Sequence, residues 1–365
     1  MSITTFISTW NTVNISAGSS ANNQIMLPLA NGGHNFIVDW GDGNTDTITG
    51  TTSPERIHTY ASSGVYTIQI DGLINGWSFN NIGDKLKLLD IVQWGDLHIG
   101  NGGYYFWGCS NMTCSATDNL YLAETNSMLY MFYGCINFSG NLSGWNVSTI
   151  YNMNGAFYAC ALFNSDISGW NVSNVADMYQ TFYGCSSFNN NISGWMFTSL
   201  LNLHSTFGWC TSFNQPIGAW DVSQMVDMSN AFYNCSSFDQ DLSAWDVSSV
   251  ADMTGVFQGC GISSVNYDKL LESWALLSVQ SNVVFDVAPS KFTFSALASR
   301  EVLRSSPNNW SITDGGMIGD IPTTSIGNPI GAFFGVDKII SVYFNGDKIY
   351  DWSGNATTTT TTIAP

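Results

Sequence analysis

Between residues 100 and 262 the apolar positions repeat with a 25-residue period. Cys135, Cys160, Cys185, Cys210, Cys235 and Cys260 mark it without error, and Cys109 precedes them in a more degenerate unit. A Phe stands three residues before each Cys, as at Phe132, Phe157 and Phe182. Trp145, Trp170, Trp195, Trp220 and Trp245 stand ten residues after, and Trp94 holds the same phase ahead of Cys109. Within a unit, Met153, Phe157 and Cys160 fall at i, i+4 and i+7, which predicts one face of a short helix. Ser127, Asn152, Asp177, Asn202, Asp227 and Asp252 stand where a helix N-cap would accept backbone N–H groups. Ile167, Trp170, Val172 and Val175 predict a very short strand in the second half. One such coil cannot bury its apolar face alone, so the pattern predicts stacked α/β coils, about seven of them, forming a rod about 35 Å long.

The ends of the chain have other patterns. In residues 1–73, the runs Asn35–Trp40, His58–Tyr60 and Val65–Ile70 are parted by Gly-Asp-Gly and Ser-Ser-Gly turn signals. Short strands with turns predict an N-terminal β-sandwich. Asp39, Asp42 and Asp46 are calcium candidates; the other reading is a turn satisfied by its own Asp side chains. The repeats are expected over 74–265. Over 266–315, Tyr267, Leu270, Leu271 and Trp274 predict a capping helix, with the densest Lys and Arg of the chain beginning there. In 316–352, Asn345-Gly346 between two apolar runs predicts a small β-hairpin, followed by a Thr-rich tail over 353–365.

Charge narrows the partners. The formal net charge is −18, and no Lys or Arg lies between Lys87 and Lys269. Phosphate binding needs a cationic stripe, so nucleic acid is excluded as a partner, and an anionic membrane surface is disfavoured. No apolar run reaches transmembrane length, so no membrane insertion is expected. Met1–Thr5 shows no basic region before an apolar core, so no signal peptide is recognised. The Cys ladder has two readings: metal or disulfide links between coils, or buried free thiols. Side chains in register keep their Cβ atoms nearly as far apart as their Cα atoms, which is too far for a bridge, and no CxxC or His series accompanies them. Buried thiols acting as small core hydrophobes fit better.

His34, His58, His98 and His204 fall in different units without recurring Cys, Glu or Ser partners. No phosphate loop or nucleophile elbow occurs. The expectation is therefore no catalytic residues, no cofactor and no enzyme activity.

The run Met178-Tyr-Gln-Thr-Phe-Tyr-Gly-Cys-Ser-Ser-Phe-Asn-Asn-Asn-Ile-Ser-Gly-Trp195 resembles the BspA-like leucine-rich-repeat surface proteins, a group that includes mycoplasma lipoproteins and marine viral and bacterial proteins. The resemblance covers about residues 90–315. Asp39-Trp40-Gly41-Asp42-Gly43 with His58-Thr59-Tyr60 resembles a polycystic-kidney-disease-type (PKD) immunoglobulin-like domain, and the terminal hairpin resembles small elements of phage structural proteins. These resemblances imply a multidomain chain: an N-terminal β-sandwich, a central α/β leucine-rich-repeat-like solenoid of about seven 25-residue coils, and a small C-terminal β-hairpin element. They imply a non-enzymatic virion surface protein, a phage fibre or capsid decoration protein serving assembly and host attachment. The alternative is a bacterial cell-surface adhesin domain binding protein or glycan. Expected partners are other virion structural proteins, a host surface glycan or protein, and further copies of the chain.

Overall fold

The computed structural model describes residues 4–31 and 33–319 and, as backbone, the strands 332–335, 338–344 and 347–351. The chain divides into two compact units, 1–317 and 318–365.

The first unit opens on strands β1 (Phe6–Asn11), β2 (Gln24–Met26), β3 (Asn35–Asp39), β4 (Thr45–Ile48), β5 (Ile57–Thr59) and β6 (Val65–Asn75). β7 (Leu88–Gln93), β8 (Leu97–His98) and β9 (Thr113–Cys114) follow. They form one mixed sheet in the order β4-β3-β6-β1-β7-β9, with β8 against β6, while β2 and β5 pair separately. β7–β9 and β6–β8 are parallel, and the other pairs are antiparallel. β3 alternates strictly, Phe36 and Val38 inward and Asn35, Ile37 and Asp39 outward, as a half-buried antiparallel strand must.

A buried ion pair ties this sheet together. The Lys87 ammonium lies 3.2 Å from Asp84, and both side chains are wholly enclosed. Lys87 Nζ also donates to the carbonyls of Ser20, Ala21 and Gln24 and to Ser20 Oγ, at 2.7–3.0 Å. Asp84 accepts from the Ser20 amide and hydroxyl and from the Met26 amide at 2.6–2.8 Å. Each charge is thus met by opposite charge and by hydrogen bonds, the condition under which burial is tolerated.

The repeats correct the expected fold class. Neither the α/β leucine-rich-repeat-like solenoid nor the bounded N-terminal β-sandwich is found. The sheet is mixed and runs past residue 73 to Cys114. Among the described residues the α-helices are α1 (Ser264–Trp274) and α2 (Leu297–Arg304), and both follow the repeats. From 115 to 262 the chain consists of turns and single β-bridges.

The reason is in the backbone. Gly155 and Ala159 both have φ +57, and the pairs Tyr130/Gly134, Gln180/Gly184 and Asn230/Asn234 are left-handed at the same positions. Two left-handed residues four apart cannot belong to an α-helix. Amides then alternate in direction. Met153, Gly155, Phe157 and Ala159 donate to Asp177, Tyr179, Thr181 and Tyr183 of the next repeat, whereas Ala156, Tyr158 and Cys160 donate back three residues. An isolated helix of two turns is marginal because its nucleus is costly. The next repeat supplies acceptors in line, and that alternative wins. Ser127, Asn152, Asp177, Asn202, Asp227 and Asp252 do act as caps, but each accepts from the amide two residues on, closing a turn rather than a helix.

The last repeat is covered by β10 (Val284–Asp286), which pairs in parallel with β11 (Ser311–Thr313). Phe257 and Gly259 donate their amides to Asp286 and Ala288, continuing the pattern of the repeats. α1 buries Tyr267, Leu270, Leu271 and Trp274, the face their spacing predicts, and Ser263 caps it.

In the second unit β12 (Ala332–Gly335), β13 (Lys338–Phe344) and β14 (Asp347–Asp351) form an antiparallel sheet. The Asn345-Gly346 turn and the Thr-rich tail lie outside the described residues.

Candidate binding face

Each repeat has an inner and an outer row. Inside, Phe106, Phe132, Phe157, Phe182, Phe207 and Phe232 stack with ring centroids 5.4–5.5 Å apart. The thiols are free and lie beside them. The Cys160 thiol donates to the Phe132 carbonyl at 3.0 Å, and Cys135, Cys185, Cys210, Cys235 and Cys260 repeat that contact at 2.9–3.1 Å. Trp170, Trp195, Trp220 and Trp245 donate Nε1–H to carbonyls of the preceding repeat at 3.0–3.2 Å. Trp145 is buried in the same position, but its Nε1 has no hydrogen-bond partner. The Cys and Trp ladders therefore join repeats to one another and are closed to ligands.

Burial raises the pKa of the ladder thiols, well above the usual value for Cys160 and Cys210 and to about 12 for Cys260. Thiolate is the reactive form. Under native conditions iodoacetamide is expected to leave the six ladder thiols unmodified and to modify them all in denaturant; mass spectrometry distinguishes the two states. Native labelling of Cys185 would show the repeats to be open.

The outer row escaped sequence reasoning. Two residues before Cys109, Cys135, Cys160, Cys185 and Cys235 stand Trp107, Tyr133, Tyr158, Tyr183 and Tyr233, all half-buried. Tyr133 and Tyr158 stack at 4.3 Å and 6°, and Tyr158 and Tyr183 at 5.1 Å and 8°. Tyr130 meets Tyr133 at 5.1 Å and Trp107 at 5.6 Å, so a second row joins the first. At the fifth repeat the order changes: Gly208 takes the Tyr position against the Tyr183 ring, and the indole moves to Trp209. Trp209 has φ +62 and is 45% exposed, a costly backbone state for an aromatic residue, and it packs on Tyr233 at 6.1 Å. The signal was present in the sequence: an aromatic residue one or two positions before each repeat Cys from Cys109 to Cys235, in phase with the core but a residue too near the turn to be core.

Carboxylates edge this face. Asp177 and Asp227 stand at the turn where each repeat enters it. Burial, then Tyr104, Tyr179 and Asp177, raise the pKa of Tyr130, and burial and then Tyr158 raise that of Tyr133 to about 12. A tyrosine held neutral in the folded state stabilises fully below its unfolded pKa of 10.0 and loses that contribution as pH rises to the folded value. Unfolding midpoints should therefore fall between pH 10 and about 12, and replacing Tyr133 with Phe should blunt the fall. A midpoint flat across that window would contradict the burial of these hydroxyls.

The other candidates do not converge. Asp39 accepts from the Gly41 amide, Asp42 from Asn44 and His58, and Asp46 from the Trp40 indole, each at 2.8–3.0 Å. Among the described residues no three His, Cys, Asp or Glu side chains are placed to hold a metal. His34 is enclosed beside Ala30 and Asn75, and burial lowers its pKa. His98 faces Glu124 at 3.3 Å. His204 gathers the residue types of a nucleophilic triad without its geometry. Its Nδ1 faces both Ser229 Oγ (2.8 Å) and Asp227 (3.5 Å), and Ser229 donates to Asp227 instead of awaiting a base.

A family described as Mycoplasma protein of unknown function, DUF285, matches residues 103–215 and again 189–292, more than half of the chain. The chain belongs to this family. Both DUF285 matches fall on the repeats and their covering segment, and the aromatic face from Tyr104 to Tyr233 lies wholly inside the DUF285 region. No curated protein and no solved structure matches the chain.

Proposed function

We propose that this chain is a non-enzymatic recognition protein carried on the surface of a phage virion, as a fibre or decoration protein, and that it attaches to the host through its outer aromatic face. The observation that carries the reading is that face: tyrosines and tryptophans held on successive hydrogen-bonded repeats, with side chains that bind but none arranged to react. Trp and Tyr are the residues that dominate binding energy at protein surfaces. The reduced, buried thiols suit a chain that folds in a reducing compartment before release. The resemblance to repeats of marine viral proteins supports the virion as carrier. Other virion proteins and further copies of the chain are then its assembly partners.

Proteomic analysis of purified virions tests the location. Recovery of the chain with the particle is the expected result. Recovery instead from bacterial envelopes would replace the virion with a bacterial surface as carrier, the adhesin reading. Shortening of host polysaccharide by the purified protein would end the non-enzymatic reading.

A further inference from the structure

One junction in the array is built differently from its neighbours. Along the edge where each repeat enters, Met128, Met153, Leu203 and Met228 donate their amides to Asn152, Asp177, Asp227 and Asp252 at 2.7–2.9 Å. Tyr151, Ala176, Val226 and Ala251 donate one repeat back at 2.8–3.0 Å. Between the repeats of Cys185 and Cys210 both rows break: among the described residues the Met178 and Leu201 amides have no acceptor. The β-bridge that joins Asn152 to Asp177 and Asn202 to Asp227 is missing between Asp177 and Asn202. The break tapers inward. The Gln180 amide reaches His204 at 3.3 Å, against 2.8–2.9 Å for Tyr130, Gly155, Ser205 and Asn230 at the same position. Farther in, Phe182 and Gly184 reach Thr206 and Gly208 at the ordinary 2.9 and 2.8 Å, and the Phe182 and Phe207 rings keep the 5.5 Å stacking of the inner row.

The cause lies in the turn before the break. Asn146, Asn171, Asp221 and Asp246 follow a repeat Trp and accept from the amide two residues on at 3.0–3.1 Å. Ile150, Val175, Met225 and Val250 then donate back three residues at 2.9–3.1 Å. Met196 stands at that position after Trp195 and has no oxygen to close the turn, and the Leu200 amide makes no such bond. Phe197 takes the place of Val147, Val172, Val222 and Val247 and sets its ring edge-on to Trp220 at 5.1 Å and 87°. The chain therefore enters the next repeat out of line, with Met196 73% and Leu201 53% exposed. Met178 is wholly buried, and a buried backbone N–H without an acceptor is costly, so the closed form is weaker here than at the junctions on either side. We propose that this junction is a hinge: the edge formed by 176–178 and 201–203 opens, pivoting on the closed row at Phe182 and Gly184. The pivot passes beside the outer row, where the Trp209 indole meets the Tyr183 hydroxyl across it. Opening changes the angle between the tyrosine column before the hinge and Trp209 with Tyr233 after it. The hinge stands whether or not the aromatic face binds a host.

Amide hydrogen exchange of the full chain, resolved by residue and corrected for intrinsic rates, tests the hinge, because a hydrogen-bonded amide exchanges only when its surroundings open. Met178 and Leu201 should exchange about a hundredfold faster than their counterparts Met153 and Val226, which are hydrogen-bonded. Gln180 is the deciding residue. It is bonded in the closed form, so only movement of the junction frees it, and it should exchange about tenfold faster than Gly155 and Ser205. The variant Met196→Asn/Phe197→Val writes the Asn171-Val172 turn into this repeat and should slow Met178, Gln180 and Leu201 about tenfold. Met196→Asn alone keeps the Phe197 ring and should slow them about threefold; it carries the test if the double variant unfolds more readily than the parent. Gln180 as protected as Gly155, with only Met178 and Leu201 fast, would mean a fixed gap that does not move and would overturn the hinge. Met178 as protected as Met153 would overturn it too, as would exchange at Gln180 that neither variant slows.

Discussion

Replacing Trp195 with alanine is expected to cost about 3–5 kcal/mol, as large core truncations do. The indole is 3% exposed, lies 6.1 Å from the Phe182 ring, and donates to the Ile167 carbonyl of the preceding repeat at 3.2 Å. Truncation opens a cavity and also strands a buried acceptor, and the two penalties act at the same junction. Each repeat hydrogen-bonds to its neighbours, so the loss should appear as a lower unfolding midpoint for the repeats as a body rather than as local fraying. Trp145→Ala is the useful comparison. That residue is equally buried without an indole hydrogen bond, so it should cost less by roughly one hydrogen bond, about 1 kcal/mol. An unchanged midpoint in Trp195→Ala would place the tryptophan row on the surface.

Lys87→Met should be as damaging, about 3–5 kcal/mol, because it leaves the Asp84 carboxylate buried without its cation. Removing both charges is a common rescue for buried pairs, since the desolvation cost disappears with them. Here it should fail. In Lys87→Met/Asp84→Leu the amides of Ser20 and Met26 lose their acceptor and the carbonyls of Ala21 and Gln24 lose their donor. Chemical denaturation of the two variants beside the parent chain decides the matter. Full recovery in the double variant would show that the surrounding hydrogen bonds contribute little and that the pair alone matters.

Part of this was legible in the sequence. The period, the membership of the inner row and the α1 face follow from spacing, because apolar side chains that stack on their own copies must recur in phase. The helix inside each repeat was misread. Met153, Phe157 and Cys160 have helical spacing, yet turns whose amides donate alternately three residues back and to the next repeat place the same three side chains inside. A warning sign stood in the chain: Gly134, Gly184, Gly259 and Asn234 precede the cysteine, the residues that most readily accept a left-handed backbone. The outer face stays hidden in the sequence because a tyrosine near a buried cysteine is equally compatible with the core. Only the geometry separates Tyr158, with its ring against Tyr133 and Tyr183, from Phe157 one residue earlier. The Asp84–Lys87 pair carries no sequence signature, since its surroundings come from Ser20 to Met26, far away in the chain.

Competition for host adsorption tests the aromatic face most directly. Purified chain, added to host cells before virions, should block adsorption. The variant Tyr183→Ser/Trp209→Gly, verified as folded by its unfolding midpoint, should not. Equal blocking by both proteins would mean that the ring column is only scaffold and that attachment, if this chain performs it, lies on another surface.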